Sequence, residues 1–65
     1  MMIYFVIYKQ KKEKDYRMYT NMIFSREEEA TQFASKSKKR NYDFKVVEYN
    51  KENYDRYWNE KERKN

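Results

Sequence analysis

The sequence predicts a small α+β domain with the element order β-β-α-β-α. Three observations carry this prediction: three segments alternate with a period of two, a helix-start signal separates the second from the third, and a second capping residue follows the third. With 65 residues the chain is long enough for one domain, 1–65, and is close to the lower size limit for a core without covalent staples.

Two strands are predicted before the first helix. The first runs from Met1 to Gln10, and because both of its alternating faces are apolar it should lie in the centre of the sheet. The next segment, KKEKD, lacks the glycine of a two-residue hairpin and predicts a longer charged connection. The second strand runs from Tyr16 to Phe24, with Tyr16, Met18, Thr20, Met22 and Phe24 expected on one face.

A helix is predicted to begin at Ser25, which stands three residues before Glu28 and can form a reciprocal capping box with it. The glutamates at 27–29 complement the positive end of the helix dipole, and the cations at 36–40 complement the negative end. Asn41 is suited to stop the helix in the left-handed conformation. We therefore expect one helix between Ser25 and Asn41.

The third strand is predicted from Tyr42 to Tyr49, and Asn50 is expected to cap a second helix. Glu52 with Arg56, and Glu60 with Lys64, are expected as supporting ion pairs. No apolar residue follows Trp58, so the last residues, about 60–65, are expected to fray.

The sheet is expected to be three-stranded and mainly antiparallel. A right-handed crossover allows the order 2-1-3, or a mixed sheet with the third strand beside the second, and the two apolar faces of the first strand favour 2-1-3. One or two helices are expected to pack on one face of the sheet, in a two-layer sandwich.

The residues that are missing exclude many functions. Without glycine there is no phosphate-binding P-loop or dinucleotide fingerprint, and without histidine and cysteine there is no disulfide and no ordinary zinc site. The commonest general base and activated nucleophile are missing as well. Adjacent residues of a helix diverge, so Glu27–Glu29 make a poor metal site. We expect no enzyme activity, no metal and no cofactor.

Positive charge is predicted to gather at one end of the domain, because the topology returns the C-terminus of the first helix to the side of the first connection. We name this set the basic pole. Its members are Lys9, Lys11, Lys12, Lys14, Lys36, Lys38, Lys39 and Arg40. With Glu13 and Asp15 the local net charge is +6, against +5 for the whole chain. The pole is either a docking surface for phosphates or acidic groups, or a solvated end that promotes solubility.

Aromatic residues are the second candidate contacts for a partner. The set comprises Tyr4, Tyr8, Tyr19, Tyr54, Tyr57 and Trp58. Tyrosine and tryptophan are enriched at binding hot spots, and exposed tyrosines can stack on bases. Packing within the sheet, in the core under the second helix, or at a dimer face explains the same residues, and a homodimer is expected to be possible because a three-stranded sheet has two edges.

Neither a signal peptide nor a membrane span is predicted. The apolar run Met1 to Tyr8 is too short and lacks a basic segment before it, so we expect a cytoplasmic protein.

The choice of residues along the chain resembles that of a known class of small proteins. The segments MMIYFVIYK, FSREEEATQFASKSKK and YDFKVVEYN resemble those of short accessory proteins of bacteriophages and prophages from AT-rich Gram-positive hosts. The resemblance implies a host-takeover or anti-defence protein in the cytoplasm of a host cell, which inhibits a host enzyme or a defence system such as CRISPR.

Two functions are consistent with these features. The first is a protein-binding modulator that places the basic pole and exposed aromatics against a larger host protein or protein–nucleic-acid complex. The alternative is a small nucleic-acid-binding protein that uses the same pole on phosphates.

Overall fold

A computed structural model describes residues 2–57 and contains the five predicted elements in the predicted order. The strands are β1 (Tyr4–Gln10), β2 (Arg17–Met18) and β3 (Tyr42–Glu48), and the helices are α1 (Glu27–Ser37) and α2 (Lys51–Tyr57). The predicted small α+β fold is confirmed. Within residues 2–57, no helix has the length and apolar character needed to cross a membrane.

The sheet has the order β2-β1-β3 and is antiparallel throughout, as the favoured topology predicts. β1 is central and pairs with β3 along its whole length, from Tyr4 opposite Glu48 to Gln10 opposite Tyr42. Phe5, Val6 and Ile7 are completely buried. β1 is paired on both edges and covered on both faces, which explains why apolar residues occupy consecutive positions of the strand.

α1 packs on one face of the sheet, as expected. Ala30 and Ala34 bury Val6, and the small alanine side chains let the helix approach the strands closely. α2 packs on the opposite face, where Tyr54 and Tyr57 contact the cluster of Phe5 and Ile7. Alternation along β1 requires this arrangement, because Phe5 and Ile7 point away from Val6 and need their own cover. The second helix thus adds a further layer to the expected two-layer sandwich.

The second strand is shorter than predicted. Only Arg17 and Met18 form a ladder with β1, and an isolated bridge joins Phe24 to Tyr4. Alternation fails between them, because Phe24 packs on the α1 face and Met18 on the α2 face. Met22 and Ile23 are about half exposed, at 49% and 47%. The intervening residues leave the ladder, so the expectation of one continuous strand from 16 to 24 is wrong.

The predicted capping box is also wrong. The N-cap of α1 is Arg26, in an extended conformation with φ −129° and ψ 139°, and its side chain makes no capping bond. The helix ends at Ser37, where the N–H of Lys38 donates to the Ser35 carbonyl at 3.3 Å. Ser25 lies between Phe24, which bridges to Tyr4, and the N-cap Arg26, so it is outside the helix. Lys36 alone lies in the last helical turn, and the later cations belong to the following turn.

Asn50 caps the second helix as predicted, whereas Asn41 takes the predicted left-handed conformation but does not end α1. Asn50 Oδ1 accepts from the N–H of Asn53 at 2.8 Å and so caps α2. Asn41 has a φ of 72°, in the left-handed region, although it lies in the turn before β3 and not at the end of α1. Glu52 and Arg56 form the predicted ion pair at 3.5 Å. Trp58, the pair Glu60–Lys64 and the frayed end lie outside the described residues.

Candidate binding surface

The basic pole is built where two turns meet. The N–H of Lys11, at the end of β1, donates to the carbonyl of Asn41 at 2.9 Å, which ties the β1–β2 connection to the α1–β3 turn. Asn41 can direct its carbonyl this way because its φ is positive, a conformation that asparagine tolerates better than most residues. The topology thus places the two cationic segments side by side, as the sequence predicted.

A shallow cleft lies between these two turns. Its volume is about 390 Å³. Its lining residues are Gln10, Lys11, Lys12, Arg40, Asn41 and Tyr42. Three of the six carry a positive charge and none is acidic, so the cleft presents cations and amide groups to a ligand. Such a lining suits phosphate or carboxylate oxygens, which accept charge-assisted hydrogen bonds from lysine and arginine.

The β1–β2 connection is fixed by Glu13. Its N–H donates to the Gln10 carbonyl at 2.9 Å, and its Oε1 accepts from the Gln10 N–H at 2.8 Å. Both carboxylate oxygens also accept from Arg17 Nη2, at 2.9 and 2.7 Å. The backbone bond from Gln10, helped by Arg17, lowers the pKa of Glu13 from its ordinary value of 4.5. Glu13 is therefore engaged within the turn. Within residues 2–57 neither Lys11 nor Lys12 forms an ion pair, and the charge of Lys12 acts on Glu13 only from a longer distance.

Lys9 and Lys38 turn away from this cleft. Lys9 Nζ lies 3.3 Å from Asp43 Oδ2 and 5.4 Å from the centre of the Tyr16 ring, and its side chain is only 15% exposed. Lys38 lines a different groove, beside β3. The remaining cations of the pole, Lys14, Lys36 and Lys39, are on the surface. The cleft thus collects Lys11, Lys12 and Arg40 from the eight predicted residues.

The tyrosines nearest the pole form a packed aromatic cluster. Tyr8 stacks on Tyr42 with ring centres 5.8 Å apart and meets the edge of Tyr19 at 5.0 Å. Tyr19 also contacts Phe33 and Phe44, and Arg17 lies 5.7 Å from the centre of the Tyr8 ring. Every one of these rings is half-buried. Of this cluster, Tyr42 alone also lines the cationic cleft.

The other predicted aromatic contacts lie far from the pole. Tyr54 meets Tyr49 at 5.7 Å, and Tyr57 approaches Phe5 at 6.5 Å, so both cover the core beneath α2. Tyr4 packs beside Val6 on the α1 side of the sheet. All three are half-buried. The structure thus brings no tyrosine of the predicted set into the cleft.

Sequence reasoning missed two groups of the surface, Tyr42 and the Glu13–Arg17 pair. The signal for Tyr42 is its register: it lies opposite Gln10, the last residue of β1, and Gln10 Nε2 donates to its hydroxyl at 3.4 Å. The signal for the ion pair is a spacing of four residues across a turn. That spacing is uninformative outside a helix, and only the folded backbone brings the two groups together.

The described residues also hold no cluster of three or more histidine, cysteine, aspartate or glutamate side chains that could bind a metal ion. The side chains that line the cleft are three cations, two amides and the ring of Tyr42. No protein-family model, curated protein or solved structure matches the chain.

Proposed function

We propose that this chain is a small non-enzymatic binding protein that docks its basic pole on an acidic surface of a larger host protein or protein–nucleic-acid complex. The observation that carries the proposal is the cleft in which Lys11, Lys12 and Arg40 converge without an acidic residue in its lining. Cations held together in this way attract a complementary negative surface and raise the rate of association.

The resemblance to phage accessory proteins suggests what the partner is. A protein of that class acts on a host enzyme or an antiviral defence complex such as CRISPR. The proposed role is therefore to modulate or inhibit a host macromolecule in the host cytoplasm.

Both faces of the sheet are covered by helices, which favours a protein surface as the direct target and not single-stranded nucleic acid. α1 covers the face that carries Val6, and α2 covers the face that carries Phe5, so neither face offers an open platform for stacked bases. The tyrosines that such a platform would use are packed on one another. Lysine at two of the three cationic positions also provides less bidentate base recognition than arginine would.

Nucleic acid remains the second candidate because of one observation. Tyr42 lines the cationic cleft and its ring stacks on Tyr8, so one base could lie against Tyr42 while phosphates contact Lys11 and Arg40. This arrangement supplies a single stacking ring beside the cations.

A matched pair of charge-reversal variants tests the proposal. Lys11→Glu with Arg40→Glu reverses two cations of the cleft. Arg26→Glu with Lys51→Glu makes the same charge change at the other end of the domain, where α1 begins and β3 has ended. Circular dichroism first confirms that both variants fold. Each tagged variant is then used as bait to capture partners from host lysate, with and without nuclease.

The first variant is expected to lose the captured partner and the second to keep it, with or without nuclease. Equal retention by both variants would refute the basic pole as the docking surface. Capture that disappears with nuclease supports the second candidate, for which binding to generic DNA or RNA should weaken with salt by a log–log slope of several units, reduced by about one for each phosphate contact removed.

A further inference from the structure

The outer edge of β3 is open among the described residues. β3 pairs only with β1, and β2 lies on the other side of β1. Tyr49 donates to the Ile3 carbonyl at 2.7 Å and Lys11 donates to Asn41 at 2.9 Å, so the odd-numbered residues of this strand direct their backbone groups towards β1. Phe44 and Val46 therefore direct their N–H and C=O groups outward, as a template for another strand.

A groove follows this edge between β3 and α1. Its volume is about 480 Å³. From α1 its lining residues are Glu27, Thr31, Ala34, Ser35 and Lys38, and from β3 they are the five consecutive residues 42–46. Five consecutive residues of a strand can line one groove only along the strand's edge. The side chains of Thr31 and Ser35, in the middle of the helical wall, are small.

We propose that the occupant of this groove is β3 of a second copy of the chain, paired antiparallel about a twofold axis at Phe44, which joins the two sheets into one of six strands. Only the outward-facing, even-numbered residues can exchange hydrogen bonds across this edge, which restricts the possible registers. With the axis at Phe44, Asp43 of each copy lies opposite Lys45 of the other.

Neighbouring registers are electrostatically unfavourable. An axis at Asp43 places the two Asp43 carboxylates opposite each other, and an axis at Lys45 does the same with the two ammonium groups. Like charges directly opposite each other destabilise a pair of strands, and opposite charges stabilise it. In the single chain the Asp43 carboxylate contacts Lys9 Nζ at 3.3 Å and Lys45 Nζ lies 5.0 Å from the centre of the Tyr16 ring. Asp43 is 40% exposed and Lys45 is exposed, and pairing across the edge exchanges these contacts for the Asp43–Lys45 pairs.

The helices give an independent argument for the same axis. Across the axis each α1 would lie antiparallel to its copy, about two strand spacings or roughly 10 Å away, a distance at which helices pack. Glu27 and Lys38 lie at opposite ends of the groove, so Glu27 of one copy would meet Lys38 of the other. Thr31 would meet Ser35, whose small side chain permits the close approach.

A charge swap on α1 tests this dimer, because Glu27 and Lys38 are exposed and make no ion pair within residues 2–57. Sedimentation of the full chain across a concentration series should show a species of twice the 8.4 kDa chain mass. Glu27→Lys should raise the dissociation constant about tenfold by placing like charges together, and adding Lys38→Glu should restore it. The matched control Glu29→Lys changes the same helical turn outside the groove and should leave the dimer intact.

Hydrogen exchange followed by NMR adds a readout at the backbone. The amides of Phe44 and Val46 should exchange slowly in the dimer and quickly at dilutions at which the chain is monomeric. A chain that stays monomeric at about 1 mM, a level at which even weak self-association is populated, would overturn the proposal. So would a dimer that Glu27→Lys and Glu29→Lys weaken equally, or one that leaves these two amides unprotected.

Discussion

Glu13 shows how much of the domain's local order depends on single side chains. It closes a turn that contains no glycine, by accepting from the backbone of Gln10 and from Arg17. Among the described residues the positive φ belongs to Asn41, so this turn does not require glycine, and the bonds of Glu13 hold it closed. The cations that follow β1 therefore project from an ordered backbone.

Glu13→Gln should remove an acid-sensitive contribution to stability. The pKa of Glu13 is lowered in the folded state, so its contribution is fully present above the ordinary value of 4.5 and is lost as pH falls through the lower folded value. The difference in unfolding free energy between about pH 6 and about pH 3, measured by urea denaturation, should be smaller in the variant.

The exposed Glu28→Gln serves as the control for this experiment, since it removes the same charge from the first turn of α1. Its pH difference should fall by less than that of Glu13→Gln, because the Glu28 side chain makes no hydrogen bond or ion pair within residues 2–57, whereas Glu13 makes both. A Glu13→Gln variant with an undiminished pH difference would contradict the role assigned to the turn.

At the scale of elements, the start of α1 shows that a local sequence signal can be overridden by the fold. Ser25 and Glu28 have the spacing of a capping box, yet Phe24 bridges to Tyr4 and Arg26 becomes the N-cap. Arg26→Ser should stabilise the domain by about 0.5–1 kcal/mol, because serine can bond to an orphan N–H of the first turn and arginine does not.

Ser25→Ala provides the comparison, and should change the unfolding free energy by less than about 0.5 kcal/mol because its hydroxyl is not a cap. Both values come from chemical denaturation. The reverse ranking, with a clear loss for Ser25→Ala and no gain for Arg26→Ser, would mean that the helix begins in the capping box.

The elements also show which features the sequence can predict. β1 and β3 were predicted within a few residues because alternation and burial act on them together, and Asn50 was predicted as a cap because its bond is local. The second strand was not, since nothing local reveals that the chain leaves the ladder after Tyr19 and returns at Phe24. The placement of α2 depends on which face remains uncovered, a property of the assembled sheet.

The candidate surface divides in the same way. Convergence of the two basic segments follows from topology and could be predicted. The position of Lys9 outside the cleft could not be predicted, because its partner Asp43 is 34 residues away and their contact depends on the strand register. Lys38 faces the β3 groove for a similar reason, as the helix ends earlier than its charge pattern suggests.

On the scale of the whole molecule, stability rests on two small clusters separated by one sheet. Phe5 is completely buried and contacts both Tyr49 and Tyr57. Phe5→Ala should cost about 3–5 kcal/mol. A domain of this size has about 3–10 kcal/mol in total at typical stability per residue, so the variant should be largely or wholly unfolded.

Thermal melting followed by circular dichroism checks this prediction. The control is Met22→Ala, which removes a side chain of a residue that is 49% exposed and should leave the melting temperature nearly unchanged. A Phe5→Ala variant that melts like the original chain would show that α2 and the residues beneath it contribute little to the fold.

The hydrogen bond from Lys11 to Asn41 has a further consequence for affinity. Flexible lysine-rich loops lose backbone entropy when a partner orders them, and this loss weakens binding. Here two turns are joined at 2.9 Å before any partner arrives, so only the side chains remain to be ordered. The spacing between the backbone positions that carry the cations is preset, and a partner whose negative groups match that spacing is distinguished from one that carries the same charge in another pattern.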